Sequence, residues 1–497
     1  MLVVLAAVVM SVAFYPRYSL NHDSSWYLLA SGNWISGAHL YTDIMEISPP
    51  LIFYLTAPAI FLSELTHVSP TTSFFAYTSL LAGIAVLWSA RILGQTSLPV
   101  RSQVALTLGV LVGLFVLPVH EFGQREHLML ILAMPYLLHL CTSGEQDASP
   151  TLWEKAALGL VAALGLGLKP YFLLIPFCIV VSNVVRTKRF TPIFDAANLA
   201  VALSLCVYAV TILVAYPEYL REIVPLVLQT YFNVRLSTEA VLSKVENPLT
   251  AILAILLLAT GFWRDRVGTA LAAATLGASA SYFIQSKGWN YQIIPFSFFI
   301  GLTALWIAQT GFSTIWMRIA GGITAVFIAA MVLGQQISYG PYRSGTTAAF
   351  APFTSGPNER ILVLSSNFSA AFPFVNEVEG QWSSRFPAQQ LLPGALVALS
   401  EADCSKQRSR CRREEEILDK VRSWTVDDIV HRRPALVFID DRARKDYFGG
   451  LTFNYLDFLS ADSRFGAEWS RYRLVGRVLQ YQVWRRDVGS DRAPGPA

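Results

Sequence analysis

The run Phe194-Asp195-Ala196-Ala197-Asn198-Leu199-Ala200-Val201-Ala202-Leu203-Ser204-Leu205-Cys206-Val207-Tyr208-Ala209-Val210-Thr211-Ile212-Leu213-Val214-Ala215 decides the fold class. A helix that crosses a bilayer needs about 20 mostly apolar residues. This run supplies them with one charge, near its start. Windows of that size predict about eleven spans along the chain. Before this run they fall near Met1–Tyr15, Thr72–Leu93, Val104–Val119, His127–Cys141, Ala156–Leu168 and Tyr171–Val185. After it they fall near Leu249–Phe262, Gly268–Ile284, Ile293–Gln309 and Trp316–Gln335. The first window lacks a basic leader and a small-x-small cleavage site, so it reads as a span rather than a signal peptide.

Composition agrees. The 497 residues are 54% hydrophobic and 14% charged, with a mean hydropathy of +0.45. Soluble globular chains carry roughly a quarter charged residues. The charges are also unevenly placed, since 40 of the 72 lie between Glu359 and Ala497. The expected architecture is an α-helical polytopic membrane body over residues 1–337, a Gly/Ser/Thr/Pro-rich linker over 338–358, and a soluble domain over 359–497. In that domain Arg360–Leu364, Ala435–Asp440 and Gln480–Arg485 read as strands, and Glu414–Trp424 and Tyr455–Leu459 as helices, a small α/β unit. A net charge of +4 is too small to imply a nucleic-acid partner.

Lys and Arg favour cytoplasmic loops. Arg186, Lys188 and Arg189, then Arg264 and Arg266, Arg91 and Arg101, and Arg318 fall on one side if the spans alternate. That side is read as cytoplasmic. The loop over residues 16–71 and the C-terminal domain then face outward, which for a bacterial inner membrane is the periplasm. Cys141, Cys178 and Cys206 fall in spans, where a thiol behaves as a small apolar group. Cys404 and Cys411 fall in the outward domain, where an oxidising compartment favours a disulfide over two free thiols or a metal pair.

The outward loop carries Asn21-His22-Asp23-Ser24-Ser25-Trp26-Tyr27, then Gly37-Ala38-His39-Leu40-Tyr41-Thr42-Asp43-Ile44-Met45-Glu46-Ile47-Ser48-Pro49-Pro50. Ser24–Trp34 and Pro50–Leu62 read as amphipathic helices lying along the interface. Its tryptophans and tyrosines are types enriched at that depth. Asp23 has two readings. A carboxylate held there can take the proton of an attacking hydroxyl. Alternatively, Asp23 caps the helix that follows it. Glu46 and Asp43 are candidates to orient an acceptor or to bind a divalent cation, against a plain reading as solvated loop carboxylates.

This pattern resembles the GT-C class of membrane glycosyltransferases, in particular the aminoarabinose transferase and protein O-mannosyltransferase group. In that group an acidic residue follows the first helix, with an aromatic residue, a glycine, a tyrosine and an acidic-x-x-Pro-Pro signature beyond it. Here Asp23, Tyr27, Gly37, Tyr41 and Glu46-Ile47-Ser48-Pro49-Pro50 occupy those places. Ser48 stands where the aminoarabinose enzymes often carry a phosphate-binding lysine. The resemblance implies transfer of a sugar from a polyprenyl-phosphate-type lipid donor to a glycan, lipid or protein acceptor on the outer face. It also implies Asp23 as the base and inversion at the anomeric carbon.

A second outward turn reads His120-Glu121-Phe122-Gly123-Gln124-Arg125-Glu126-His127. Ionisable residues at membrane depth are costly and mark function. The resemblance gives Glu126 a second catalytic place, and Arg125 can grip a phosphate with two parallel bonds. The plain alternative is a polar turn with Arg125 paired to Glu121 or Glu126. The two histidines lack the spacing of the zinc-hydrolase helix motif. Lys169 and Lys287 sit at outward helix ends, either snorkelling to the interface or, with Arg125, holding the donor phosphate. Removing any of these cations is expected to leave folding nearly intact.

No Walker loop and no dinucleotide glycine fingerprint occurs. Two other functions use a similar body. A polysaccharide polymerase or ligase places its basic residues in large late loops. A lipid-linked glycan transporter or flippase favours inverted repeats and mid-helix charges. Here the acidic signal lies in the first loop, and neither inverted repeats nor mid-helix charges are visible.

Overall fold

The computed structural model describes residues 1–144, 150–230, 236–244, 265–310 and 315–487. The chain divides into two compact units. The first comprises Met1–Asn21, Leu51–Thr211 and Leu236–Tyr342. The second comprises His22–Pro50, Ile212–Arg235 and Arg343–Ala497.

The first unit is helical. Among the described residues, five helical stretches are long and apolar enough to cross a membrane: Pro70–Gly94, Pro170–Thr187, Ala196–Ala215, Arg266–Gln285 and Asn290–Gln309. This is compatible with a membrane protein. The windows at Val104–Val119, His127–Cys141 and Ala156–Leu168 also become helices, but short ones, at Val100–Phe115, Arg125–Cys141 and Leu152–Leu166. The window at 249–262 lies outside the described residues.

Local signals set the helix starts. Ser69 accepts from the Thr72 amide with Pro70 behind it, Thr151 accepts from Glu154, and Asp265 accepts from Gly268. Each satisfies one of the amides that a helix start leaves open. Small residues then let helices approach closely. A side chain at Gly277 would place its Cβ 2.5 Å from the Leu174 carbonyl oxygen, so only glycine fits there. By contrast, Leu199, Leu203, Val207, Val210 and Leu213 all stand exposed on one helix. A soluble protein rarely leaves such an apolar surface open.

The second unit is built on a five-stranded sheet, in the order β2-β1-β3-β5-β4. The strands are β1 Arg360–Leu364, β2 Gln381–Trp382, β3 Leu436–Asp440, β4 Tyr472–Val478 and β5 Tyr481–Arg486. β2, β1 and β3 are parallel, while β5 and β4 run antiparallel. β3 is buried throughout and β1 from Ile361 onward, the pattern of parallel strands covered on both faces. Phe350 stacks on Phe438 at 4.0 Å, and Phe374 meets both rings edge-on. The expected Glu414–Trp424 helix extends over Arg408–Arg432. Its buried face includes Ile417, Val421, Thr425 and Ile429, a four-residue spacing beneath a charged surface. Cys404 and Cys411 form a disulfide just before and within the first turn of this helix.

The first-loop segment belongs to this same unit. The Met45 amide donates to the Arg385 carbonyl at 2.8 Å, and Asn376 Nδ2 donates to the Ser25 carbonyl at 3.1 Å. Arg432 Nη2 donates to the Asp43 carbonyl at 3.1 Å, and Trp26 lies 5.4 Å from Phe372. Hydrophobic periodicity does not announce this grouping.

The loop leaving β3 is organised by Arg442. Its guanidinium donates to both oxygens of Asp440 and both oxygens of Asp446. Burial works to raise the Asp446 pKa, but hydrogen bonds from Arg442 and Asn367 outweigh it and hold the carboxyl below its usual value. A carboxylate depressed in the folded state adds stability above its unfolded pKa and loses it as pH falls through the folded value. The protein is therefore expected to unfold at lower temperature as pH falls below about 4, the ordinary aspartate value. Thermal unfolding of the parent and of Asp446→Asn checks this. The variant should be less stable at neutral pH, and the gap should close in acid. A gap that is unchanged by acid would refute the assignment.

Candidate functional site

Asp23 lies in the second unit, in the first turn of the helix His22–Ile35. The helix begins two residues before the predicted Ser24, so Asp23 stands inside it. It is therefore not the N-cap that the alternative reading made it. A carboxylate in a first turn is favoured by the helix dipole. Asp23 is 8% exposed, and His22 Nε2 lies 3.4 Å from its Oδ1. The sequence reading passed over His22, although its adjacency to an acidic residue was a visible signal.

Glu46 is 2% exposed. Its Oε2 accepts from Trp26 Nε1 at 2.7 Å and its Oε1 from the Ser48 amide at 2.8 Å. It ties the end of the loop to the helix that carries Asp23. Tyr41 hydroxyl donates to the Ser48 carbonyl at 3.0 Å, and the Tyr27 and Ser48 hydroxyls lie 3.3 Å apart. Residues of the loop signature are thus knitted to one another. Asp43 is exposed, and its Oδ2 accepts from the His39 amide at 2.9 Å, closing a local turn.

In the first unit the second turn and two helix ends meet. Glu126 is fully buried, and its Oε1 accepts from Lys169 Nζ at 2.6 Å. Its Oε2 has no hydrogen-bond partner among the described residues. Lys169 also approaches Gln285 Oε1 at 3.4 Å and lies 5.0 Å from the centre of the Tyr291 ring. Gln292 Nε2 donates to the same Gln285 oxygen at 3.0 Å. Lys287 is 6% exposed, with its ammonium 5.9 Å from the Trp289 ring. Arg125, half-buried, is the first residue of the helix Arg125–Cys141. Lys169 and Glu126 were singled out separately, and the structure makes them an ion pair. Gln285, Tyr291 and Gln292 were missed as its polar surround.

The neighbouring residues have structural partners. Glu121 accepts from Asn21, and Gln124 donates to Asn21. His127 is held by the Gly123 amide on one ring nitrogen, while its other nitrogen lies 2.8 Å from the Leu114 carbonyl. Gly123 has φ +85°, the left-handed turn this hold requires. His120 Nδ1 lies 3.0 Å from the Gly340 carbonyl. Among the described residues no three His, Cys, Asp or Glu side chains group as a metal site.

Chemically, the second unit offers a mostly buried carboxylate at a helix start. The first offers a desolvated cation–carboxylate pair with one open oxygen, among amides and an aromatic ring. Set against known protein families and curated proteins, the chain matches no family model and no protein at a significant level.

Proposed function

We propose that the chain is a membrane glycosyltransferase of the GT-C type, acting on the outer face with a polyprenyl-phosphate-linked sugar as donor. The observation that carries the reading is Asp23, mostly buried at the start of a helix and set in the Asp-aromatic-Gly-Tyr-Glu-x-x-Pro-Pro pattern of the first loop. In this reading the acceptor hydroxyl attacks the anomeric carbon as its proton passes to Asp23. A new C–O bond forms. The bond from the anomeric carbon to the donor phosphate oxygen breaks, and polyprenyl phosphate leaves with the electron pair. One displacement inverts the configuration.

Arg125, Lys169 and Lys287 are the proposed partners of the donor phosphate. Lys169 already serves Glu126, so a phosphate must share that cation or displace the carboxylate. The disulfide supports an outward, oxidising location for the C-terminal domain. The proposed topology has about eleven spans and a cytoplasmic start.

The buried Lys169–Glu126 pair also favours a second reading, a transporter of lipid-linked glycans, because charges inside an apolar body mark translocation paths. One experiment separates them. Purified protein in vesicles is given synthetic polyprenyl-phosphate sugars, or nucleotide sugars, with a cell-envelope extract as acceptor. Release of free polyprenyl phosphate from the lipid donor alone is expected. Movement of intact donor across the bilayer, with no release, supports the transporter and refutes the transferase.

A further inference from the structure

The soluble sheet carries a cavity that the transferase reading leaves unused. β1 and β3 are parallel neighbours, with Leu364 beside Ile439 at their carboxyl ends. The chain leaves β1 toward β2 on one side, and leaves β3 toward β4 and β5 on the other. Neighbouring parallel strands whose connections part in this way open a crevice at their carboxyl ends, the usual ligand position in open α/β sheets, but the cavity lies beside that crevice, on the β5 side of β3. A cavity of about 440 Å³ lies beyond the end of β3, bounded by the residues after Ile439, the start of the Tyr455–Ser460 helix, and Gln482 of β5. Its volume falls in the small-molecule range of roughly 300–1,000 Å³.

The wall selects the chemistry of the ligand. Asp440, Asp441 and Asp457 line it against two cations, Arg442 and Lys445. Both cations are already engaged by protein groups. Arg442 forks between Asp440 and Asp446. Lys445 donates to the Arg442 carbonyl and lies 5.2 Å from the Tyr455 ring. An anion would therefore meet excess negative charge and no uncommitted guanidinium. Hydroxyl groups suit this wall better, because they both donate and accept. Carboxylates only accept, whereas amides and threonine do both. Asp457 stands exposed on the rim, where its carboxylate can accept from a ligand. Gln482 and Thr452 add an amide and a hydroxyl. Phe453 supplies an apolar face, held by Phe448 at 5.0 Å, Tyr455 at 5.1 Å and Phe458 at 5.4 Å. Acceptors, mixed donors and one fixed aromatic ring match a pyranose, which has polar edges and an apolar face.

We propose that this crevice beyond β3 binds a neutral oligosaccharide segment. The proposal does not depend on the transferase reading. The full-length protein in lipid nanodiscs, free of sugar detergents, is tested by saturation-transfer NMR. The probes are mannotriose, maltotriose, cellotriose and triacetylchitotriose, with trigalacturonate as the anionic control. At least one neutral trisaccharide should bind, and more tightly than trigalacturonate. Asp457→Ala should weaken it about tenfold or more, as expected for losing a bond to a charged group. Thr452→Val, also on the exposed rim, should weaken it by less. The two rim variants should keep the parent's release of polyprenyl phosphate, which separates this crevice from any sugar site in the transferase machinery. No binding by any of the four neutral probes, preference for trigalacturonate, or parent-like binding by both rim variants overturns the proposal.

Discussion

Asp23→Asn is expected to lower turnover by about a hundredfold or more, the usual scale of general-base catalysis, while the protein expresses and folds as the parent does. The substitution keeps the shape of the side chain and removes its charge and most of its basicity. The structure removes one competing explanation for such a loss. Asp23 lies inside the first turn of the His22–Ile35 helix and does not cap it. Folding loses the favourable charge–dipole interaction, about 0.3–1 kcal/mol, together with the contact from His22 Nε2 at 3.4 Å. A loss of rate in a variant that unfolds at the parent's temperature is a loss of chemistry and not of folding. Steady-state release of polyprenyl phosphate, with thermal unfolding measured alongside, makes the comparison. Parent-like turnover by a folded Asp23→Asn protein would sink the base assignment.

Lys169→Met is expected to destabilise the protein by about 3–5 kcal/mol, the cost of leaving a buried charge without its partner. Glu126 is fully buried and has Lys169 on one oxygen only. The sequence reading, which expected removal of this cation to leave folding nearly intact, is therefore revised for Lys169. An isolated cation at a helix end can be removed cheaply, whereas the partner of a desolvated carboxylate cannot. The double variant Glu126→Gln, Lys169→Met should recover most of the loss, since replacing both members of a buried pair is often close to neutral. A thermal-unfolding cycle over the parent, both single variants and the double variant gives the coupling. Additive losses would mean that the pair is not coupled. If the double variant is stable but no longer uses the lipid donor, the pair serves function rather than folding.

Much of the helical architecture was legible. Apolar length is a property of consecutive residues, so windows such as Thr72–Leu93 and Phe194–Ala215 land on helices Pro70–Gly94 and Ala196–Ala215. Strands β1, β3 and β5 were legible too, because buried runs of alternating or continuous apolar residues stand out in a charged domain. β2 was not, being two residues long. β4 was not, because it is largely exposed and interrupted near Gly476 by a register shift. The long helix Arg408–Arg432 was read at less than half its length, since its charged surface hides the sparse apolar stripe beneath.

The candidate site divides in the same way. The sequence by itself determined which residues are chemically conspicuous. A carboxylate, a lysine or a paired proline is unusual in an apolar chain wherever it occurs, and its cost in lipid is a local property. Only the tertiary structure decided how those residues pair. Glu126 meets Lys169 across 43 positions. Glu46 is taken up by Trp26 and the Ser48 amide. The loop that carries Asp23 joins the distant sheet domain through Met45, Arg385, Ser25 and Asn376. Such contacts depend on how helices and strands pack. Packing is set by the fit of whole surfaces, and no window of consecutive residues encodes it.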